Sequence, residues 1–239
     1  MRKFLIAAIA ALASIALASV AVAQNTDVTA ATTVSPTKSG TKKKPKSIKV
    51  TTFVKNNIEG TTAAKIEIDF PKTVKISGKG LTACKLSAIQ ASGKSACPAK
   101  SKAGTGISHA VVGPDHVPLN FNVTAFVGGK NLVIFYIEQQ GGTVTKALQG
   151  KISKGSGKFA QKLVITIPPD LQQPAPGLYA ALTDLKSTLQ LKKGKNALIS
   201  SVGCKNKKHK FGAKLTFAPN PVQPPKASAT GTSTATCKK

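Results

Sequence analysis

The sequence predicts an all-β protein: an antiparallel β-sandwich, jelly-roll-like, stapled by disulfides. Three observations carry this. Apolar residues recur with a period of two through most of the hydrophobic runs. Glycine and proline punctuate those runs at short intervals. Four cysteines, an even number, follow a leader that directs export.

The leader comes first in the chain of 239 residues. Arg2 and Lys3 precede an apolar, small-residue stretch from Phe4 to Val22, closed by Ala21-Val22-Ala23 before Gln24. A charged start, an apolar centre and an A-x-A site predict a secretory signal peptide over residues 1–23. The stretch is also about the length of an uncleaved membrane anchor, but the small-residue site and the alanine-rich centre favour removal. Nothing later in the sequence is long and apolar enough to span a bilayer. A secreted or cell-surface location is expected, with no transmembrane segment after cleavage.

Residues 24–47 are rich in Thr, Ser, Ala, Pro and Lys, and contain "TKKKPKS" from Thr41 to Ser47. Such a composition predicts a disordered arm. Residues 220–239 have the same character and predict a Pro/Thr-rich tail, pinned only by Cys237. Between them, residues 48–219 form one body, large enough for a single domain with a sizeable core.

Within the body the strands follow from alternation. In "KIEIDF" Ile66, Ile68 and Phe70 share one face, and Lys65, Glu67 and Asp69 the solvated one. In "LNFNVTAFV" Leu119, Phe121, Val123, Ala125 and Val127 face inward. "LVIFYI", Leu132 to Ile137, is apolar throughout and predicts a central strand covered on both sides. "KLVITI" aligns Leu163, Ile165 and Ile167, and "KLTF" aligns Leu215 and Phe217. "GLYAALTDLKSTLQL", Gly177 to Leu191, permits a helix, but Pro174, Pro176 and the Leu189/Leu191 alternation lean towards strand.

Cysteines in an exported chain default to disulfides. Of the three possible connectivities, the local one is favoured: Cys84–Cys97 and Cys204–Cys237. A zinc site would need CxxC or HxxxH spacing, and neither is present. No metal or cofactor is expected. Gly104-Thr105-Gly106 lacks the longer spacing of a phosphate-binding loop and reads as a tight turn or bulge entering "ISHAVV".

Cys84, Cys97-Pro98, Ser101 and Gly104-Thr105-Gly106 together form a Cys…Cys-Pro-x-x-Ser-x-x-Gly-x-Gly segment. It resembles a segment of uncharacterised exported bacterial β-sandwich proteins. The resemblance implies the fold and a disulfide. It implies no activity.

Charge bounds the function. Removing Arg2 and Lys3 from the 35 basic residues leaves 33 lysines against 8 acidic residues, a net charge of +25, and no arginine. Arginine recognises phosphate and carboxylate as a planar fork, whereas lysine is a hydrated point charge. A lysine-only surface draws polyanions without reading base edges. With no Trp and only Tyr136 and Tyr179 to stack on bases, no specific nucleic-acid partner is expected.

Enzymatic chemistry has little to work with. The acidic residues are Asp27, Glu59, Glu67, Asp69, Asp115, Glu138, Asp170 and Asp184. Asp115-His116 would make half an acid–base or metal site if His109 folded beside it. His209, within "CKNKKHK", reads as an exposed turn. No catalytic residue is assigned, and the sequence leans away from an enzyme. It predicts a non-catalytic, envelope-associated protein that binds anionic cell-wall polymer or acidic glycan. The binding residues would be Lys42, Lys43, Lys44 and Lys46; Lys192, Lys193 and Lys195; and Lys205, Lys207, Lys208 and Lys210. The alternatives are a lyase acting on acidic polysaccharide and a structural or adhesive surface module. The second bridge would bring Lys238 and Lys239 beside the last cluster.

Overall fold

The computed structural model describes residues 22–23, 27–219, 221 and 226–239. The expected leader therefore lies outside the described residues except for Val22 and Ala23. In chain order the elements are β1 (Val22–Ala23), β2 (Val28–Ser35), β3 (Lys46–Ser47), β4 (Lys49–Asn56), β5 (Ala63–Pro71), β6 (Val74–Ile76), α1 (Leu86–Ser92), β7 (Lys102–Val112), β8 (Val117–Gly129) and β9 (Leu132–Gln139). They continue as β10 (Thr145–Lys154), β11 (Phe159–Thr166), α2 (Pro169–Gln172), β12 (Ala180–Leu189), β13 (Lys192–Lys193), β14 (Asn196–Ala197), β15 (Ile199–Ser201), β16 (Lys208–Phe217) and β17 (Ser228–Thr236). Strand makes up 58% and helix 8%, as the alternation predicts.

One antiparallel sheet runs β1-β17-β16-β5-β11-β10-β9-β8-β7-β12-β4-β2. Its centre is the meander β7 to β11, joined by tight turns, and β12 then returns beside β7. The sheet folds over itself. Val50, Val54, Leu185 and Leu189 of β4 and β12 face Ile68, Phe70, Leu163 and Ile165 of β5 and β11 across a single core. Alternation supplies that core, because every second side chain of each strand points inward. The rings of Phe70 and Phe211 meet edge to face, with centroids 5.9 Å apart. Each such fully buried large side chain contributes roughly 1.5–3 kcal/mol. Within the stretch Gly177 to Leu191, Ala180–Leu189 form a strand, β12, and no helix.

Strand β9 is covered on both faces. Val133, Phe135 and Ile137 enter the main core, while Ile134 and Tyr136 point the other way. The outer pair is buried by the disulfide loop. Cys84, Ile89 and Cys97 pack on Phe126, Ile134 and Tyr136 as a second, smaller core. The Cys84–Cys97 bridge closes this loop, with Cα atoms 4.9 Å apart. Ser101, fully buried, turns the chain back into β7: its hydroxyl donates to the Pro98 carbonyl at 2.6 Å. The two glycines that follow are needed for close approach. A Cβ on Gly104 would sit 1.9 Å from the Thr188 carbonyl oxygen, and one on Gly106 2.4 Å from that of Lys186. A register shift between Lys102 and Gly104 completes the bulge.

The two termini correct the sequence reading. The arm expected to be disordered over 24–47 contributes β2, which pairs along its length with β4, and β3. The tail expected over 220–239 contributes β17, paired with β16 from Lys208↔Thr236 to Thr216↔Ser228. Residues 24–26, 220 and 222–225 lie outside the described residues. Both strands alternate small buried residues: Val28, Ala30, Thr32 and Val34 in one, and Ala229, Gly231, Ser233 and Ala235 in the other. Threonine suits strands, and small side chains let two backbones come close. β2 and β17 therefore meet and close the core. Thr32 and Ser233 hydroxyls hydrogen-bond at 2.7 Å, and a Cβ on Gly231 would come 2.7 Å from the Val28 carbonyl oxygen. The low hydrophobicity that reads as disorder is the signature of this tight contact.

The second bridge, Cys204–Cys237, fastens β17 to the turn before β16, with Cys237 fully buried. The connectivity is the expected one. Its 33-residue separation corresponds to roughly 3–4 kcal/mol of loop-closure entropy. Replacing Cys204 and Cys237 by serine should lower the unfolding free energy by about that amount in chemical denaturation. It should also speed proteolysis within 226–239. An unchanged midpoint would show that β17 is held by its pairing alone.

Candidate functional site

The antiparallel registers sort the connections onto two ends of the sandwich. At one end β2 leads into β4, β5 into β6, β8 into β9, β10 into β11 and β12 into β16. A small sheet, β3-β15-β6, ties these connections together through the pairs Ser201↔Lys46 and Ile199↔Ile76. This end gathers the lysine runs. The Cys204–Cys237 bridge holds Lys238 next to the turn at Lys205–Lys208. The Lys207 carbonyl accepts from the Cys237 amide at 2.9 Å, and Lys238 bridges to Lys38. The arm cluster sits in the same place: Thr41 and Lys44 close a turn just before Lys46 pairs with Ser201. Lys192, Lys193 and Lys195 project from the β13–β14 hairpin, which reaches Gly80 through Asn196.

The predicted lysines are exposed except for half-buried Lys46. None of the acidic residues lies in a connection at this end. Four of the eight pair with lysines outside the clusters: Glu138 with Lys94, Asp170 with Lys146, Glu67 with Lys162, and Asp27 with Lys226. Clusters far apart in sequence thus form one lysine-rich end whose connections hold no carboxylate. Sequence reasoning named the clusters, and the strand register brings them together.

The opposite end is different. Its connections carry Asp27, Glu59, Asp115 and Asp170. Between the layers there lies an apolar cleft of about 480 Å³, which sequence reasoning missed. Phe121, Phe135, Ile137, Ile165 and Leu185 line its depth, and Thr143, Thr145, Lys146 and Asp170 stand at its rim. The helical turn α2 leans over it with Leu171. Alternation marks these positions as core, and nothing in a single strand's pattern shows that the layers part here.

The histidines do not form the site considered from the sequence. His109 pairs with Asp184 rather than meeting Asp115-His116, with Nδ1 2.8 Å from Oδ1. The two are cross-strand neighbours on β7 and β12. Ser108 and Ala110 line the cleft, so His109 between them faces outward. His116 is exposed in a turn and has a positive φ of 51°. Among the described residues no three His, Cys, Asp or Glu side chains are placed to hold a metal ion. On the outer face of β5, half-burial of Asp69, reinforced by Glu67, raises its carboxyl above the usual range. Lys162, Lys214 and Lys158 pull it the other way.

His209 corrects the reading of an exposed turn. It is buried on the face shared with Phe211, Ala213, Leu215 and Phe217. Lys208 and Lys210 point out on either side, so "KHKF" was already a period-two signal. The Thr73 hydroxyl lies 2.8 Å from Nδ1, while Nε2 is buried with no hydrogen-bond partner among the described residues. Desolvation lowers its pKa from 6.5 to about 4. The unfolded chain takes up this proton near pH 6.5, and the folded chain resists it until about 4. The stability contributed by the neutral ring is complete above pH 6.5 and is lost as pH falls through that window, by on the order of 3 kcal/mol. Denaturation of His209→Gln across this range should show a flatter pH dependence than the parent. Parallel curves would place the titration elsewhere.

No family model, curated protein or solved structure matches this chain.

Proposed function

We propose that the protein is exported and binds anionic cell-wall polymer or acidic glycan through its lysine-rich end, without catalysis. The observation that carries this reading is the convergence of three lysine clusters on one end that has no carboxylate in its connections. Four lines of charge from distant parts of the chain, the fourth being the C-terminal Lys238 and Lys239, contribute to one field. Grouping like charges costs repulsion, and an anionic partner relieves it. Lysine rather than arginine suits a repeating anion met at many registers, because no fixed fork geometry is demanded. Two disulfides support an oxidising compartment. Among the described residues no helix is long and apolar enough to cross a membrane.

The contacts are electrostatic and exposed, so they are screened over about 8–10 Å at physiological ionic strength. Binding to polygalacturonate should fall steeply between low and moderate salt. Replacing Lys205, Lys207, Lys208 and Lys210 by Gln should weaken it roughly tenfold or more at low salt and flatten the salt slope. Combining this with Gln at Lys192, Lys193 and Lys195 should weaken it further, with the fold unchanged by circular dichroism. Full binding by the combined variant would contradict the proposal, as would salt-insensitive binding. Preferential binding of duplex DNA would redirect it to nucleic acid, and release of unsaturated oligosaccharides would expose a lyase.

A further inference from the structure

We propose that the cleft at the open end binds a single-chain amphiphile of fatty-acid type, with its alkyl chain between the layers and its carboxylate at Lys146. The site lies at the other end of the sandwich from the lysine clusters, and the proposal stands independently of theirs.

Size and shape come first. Protein interiors are close-packed, with few voids larger than a water molecule. Lower in the same core the layers obey this rule, leaving only about 20 Å³ between Val54, Phe70 and Leu185. Towards the open end they part to enclose about 480 Å³, within the ~300–1,000 Å³ range of small-molecule sites. On β12 the lining runs from Ala180 to Leu185, a depth of roughly 16 Å at ~3.3 Å per residue. The space is long as well as large.

The chemistry of the lining selects the ligand. Its depth is hydrocarbon except for Ser108, whose hydroxyl already donates to the Asp184 carbonyl at 3.2 Å. A ligand with polar groups along its length would leave them unpaired there. Polar groups gather at the rim, so the ligand has one polar end. Lys146 is the cation among them, and its partner Asp170 belongs to α2, a turn of four residues. Asp170 is exposed and Lys146 half-buried, so a ligand carboxylate can take the place of Asp170 on the ammonium group while the lysine stem covers the alkyl chain. With Asp170 displaced, Lys146 is the charge left at the rim, and it favours an anionic over a cationic head group. Val144 at the rim exposes 38% of its surface, and an alkyl chain entering beside it would cover that apolar area.

Native mass spectrometry of the full folded protein with sub-micellar hexadecanoate tests this, together with displacement of a fluorescent fatty acid. One saturable equivalent is expected, with at least tenfold preference over hexadecyltrimethylammonium. Ala110→Phe, which fills the cleft, should reduce hexadecanoate affinity at least tenfold. If that variant does not fold, Lys146→Met decides: hexadecanoate should weaken several-fold and hexadecanol should not. The proposal is overturned by lack of saturable uptake, by equal uptake of the cationic amphiphile, or by undiminished binding in both variants. Binding to anionic vesicles without uptake of the monomeric acid also overturns it.

Discussion

The contact between β2 and β17 is the constraint on which the rest depends. A sheet of this length has two edges, and free edges expose unpaired backbone. Here β2, at one edge, packs against β17, the neighbour of the other edge strand β1, with Val28, Ala30 and Thr32 against Gly231 and Ser233. Only small side chains permit that approach, and larger ones would push the layers apart. The contact shuts the core on one side and fixes where the chain's basic segments lie. The bridge at Cys237 then locks the last strand to the turn at Cys204.

That closure produces a molecule with two unlike ends. At one, the connections carry lysines and no carboxylates. At the other, they carry most of the carboxylates outside the strands, and the layers part over hydrocarbon. The polarity is a consequence of register, since antiparallel pairing sends alternate connections to opposite ends. A polymer held at the basic end leaves the cleft facing away from it. On this account the protein sits on an anionic surface with its apolar mouth presented outward.

The central strands were legible because alternation and burial are local. Ile66, Ile68 and Phe70, or Leu163 and Ile165, declare their inward face without reference to a partner. The double covering of Leu132 to Ile137 was legible for the same reason, although what covers its outer face, the Cys84–Cys97 loop, was not. The terminal strands were hidden because their buried faces are Ala, Thr, Ser and Gly, which read as disorder unless the opposing strand is known. His209 was masked by its lysine neighbours, which lie on the other face of the same strand. The lysine clusters could be named from the sequence, but their convergence depends on pairings such as Lys46↔Ser201 that join residues far apart. The cleft depends on how far two layers separate, which no single segment encodes.

The claim that the lysine clusters act as one surface is tested most directly by amine footprinting. Lysine acetylation would be mapped by mass spectrometry with and without polygalacturonate. The account predicts joint protection of Lys42 to Lys46, Lys192 to Lys195, Lys205 to Lys210 and Lys238, with Lys65, Lys146 and Lys226 reacting as in the free protein. Protection spread evenly over both ends, or centred on Lys146 and Lys226, would contradict it.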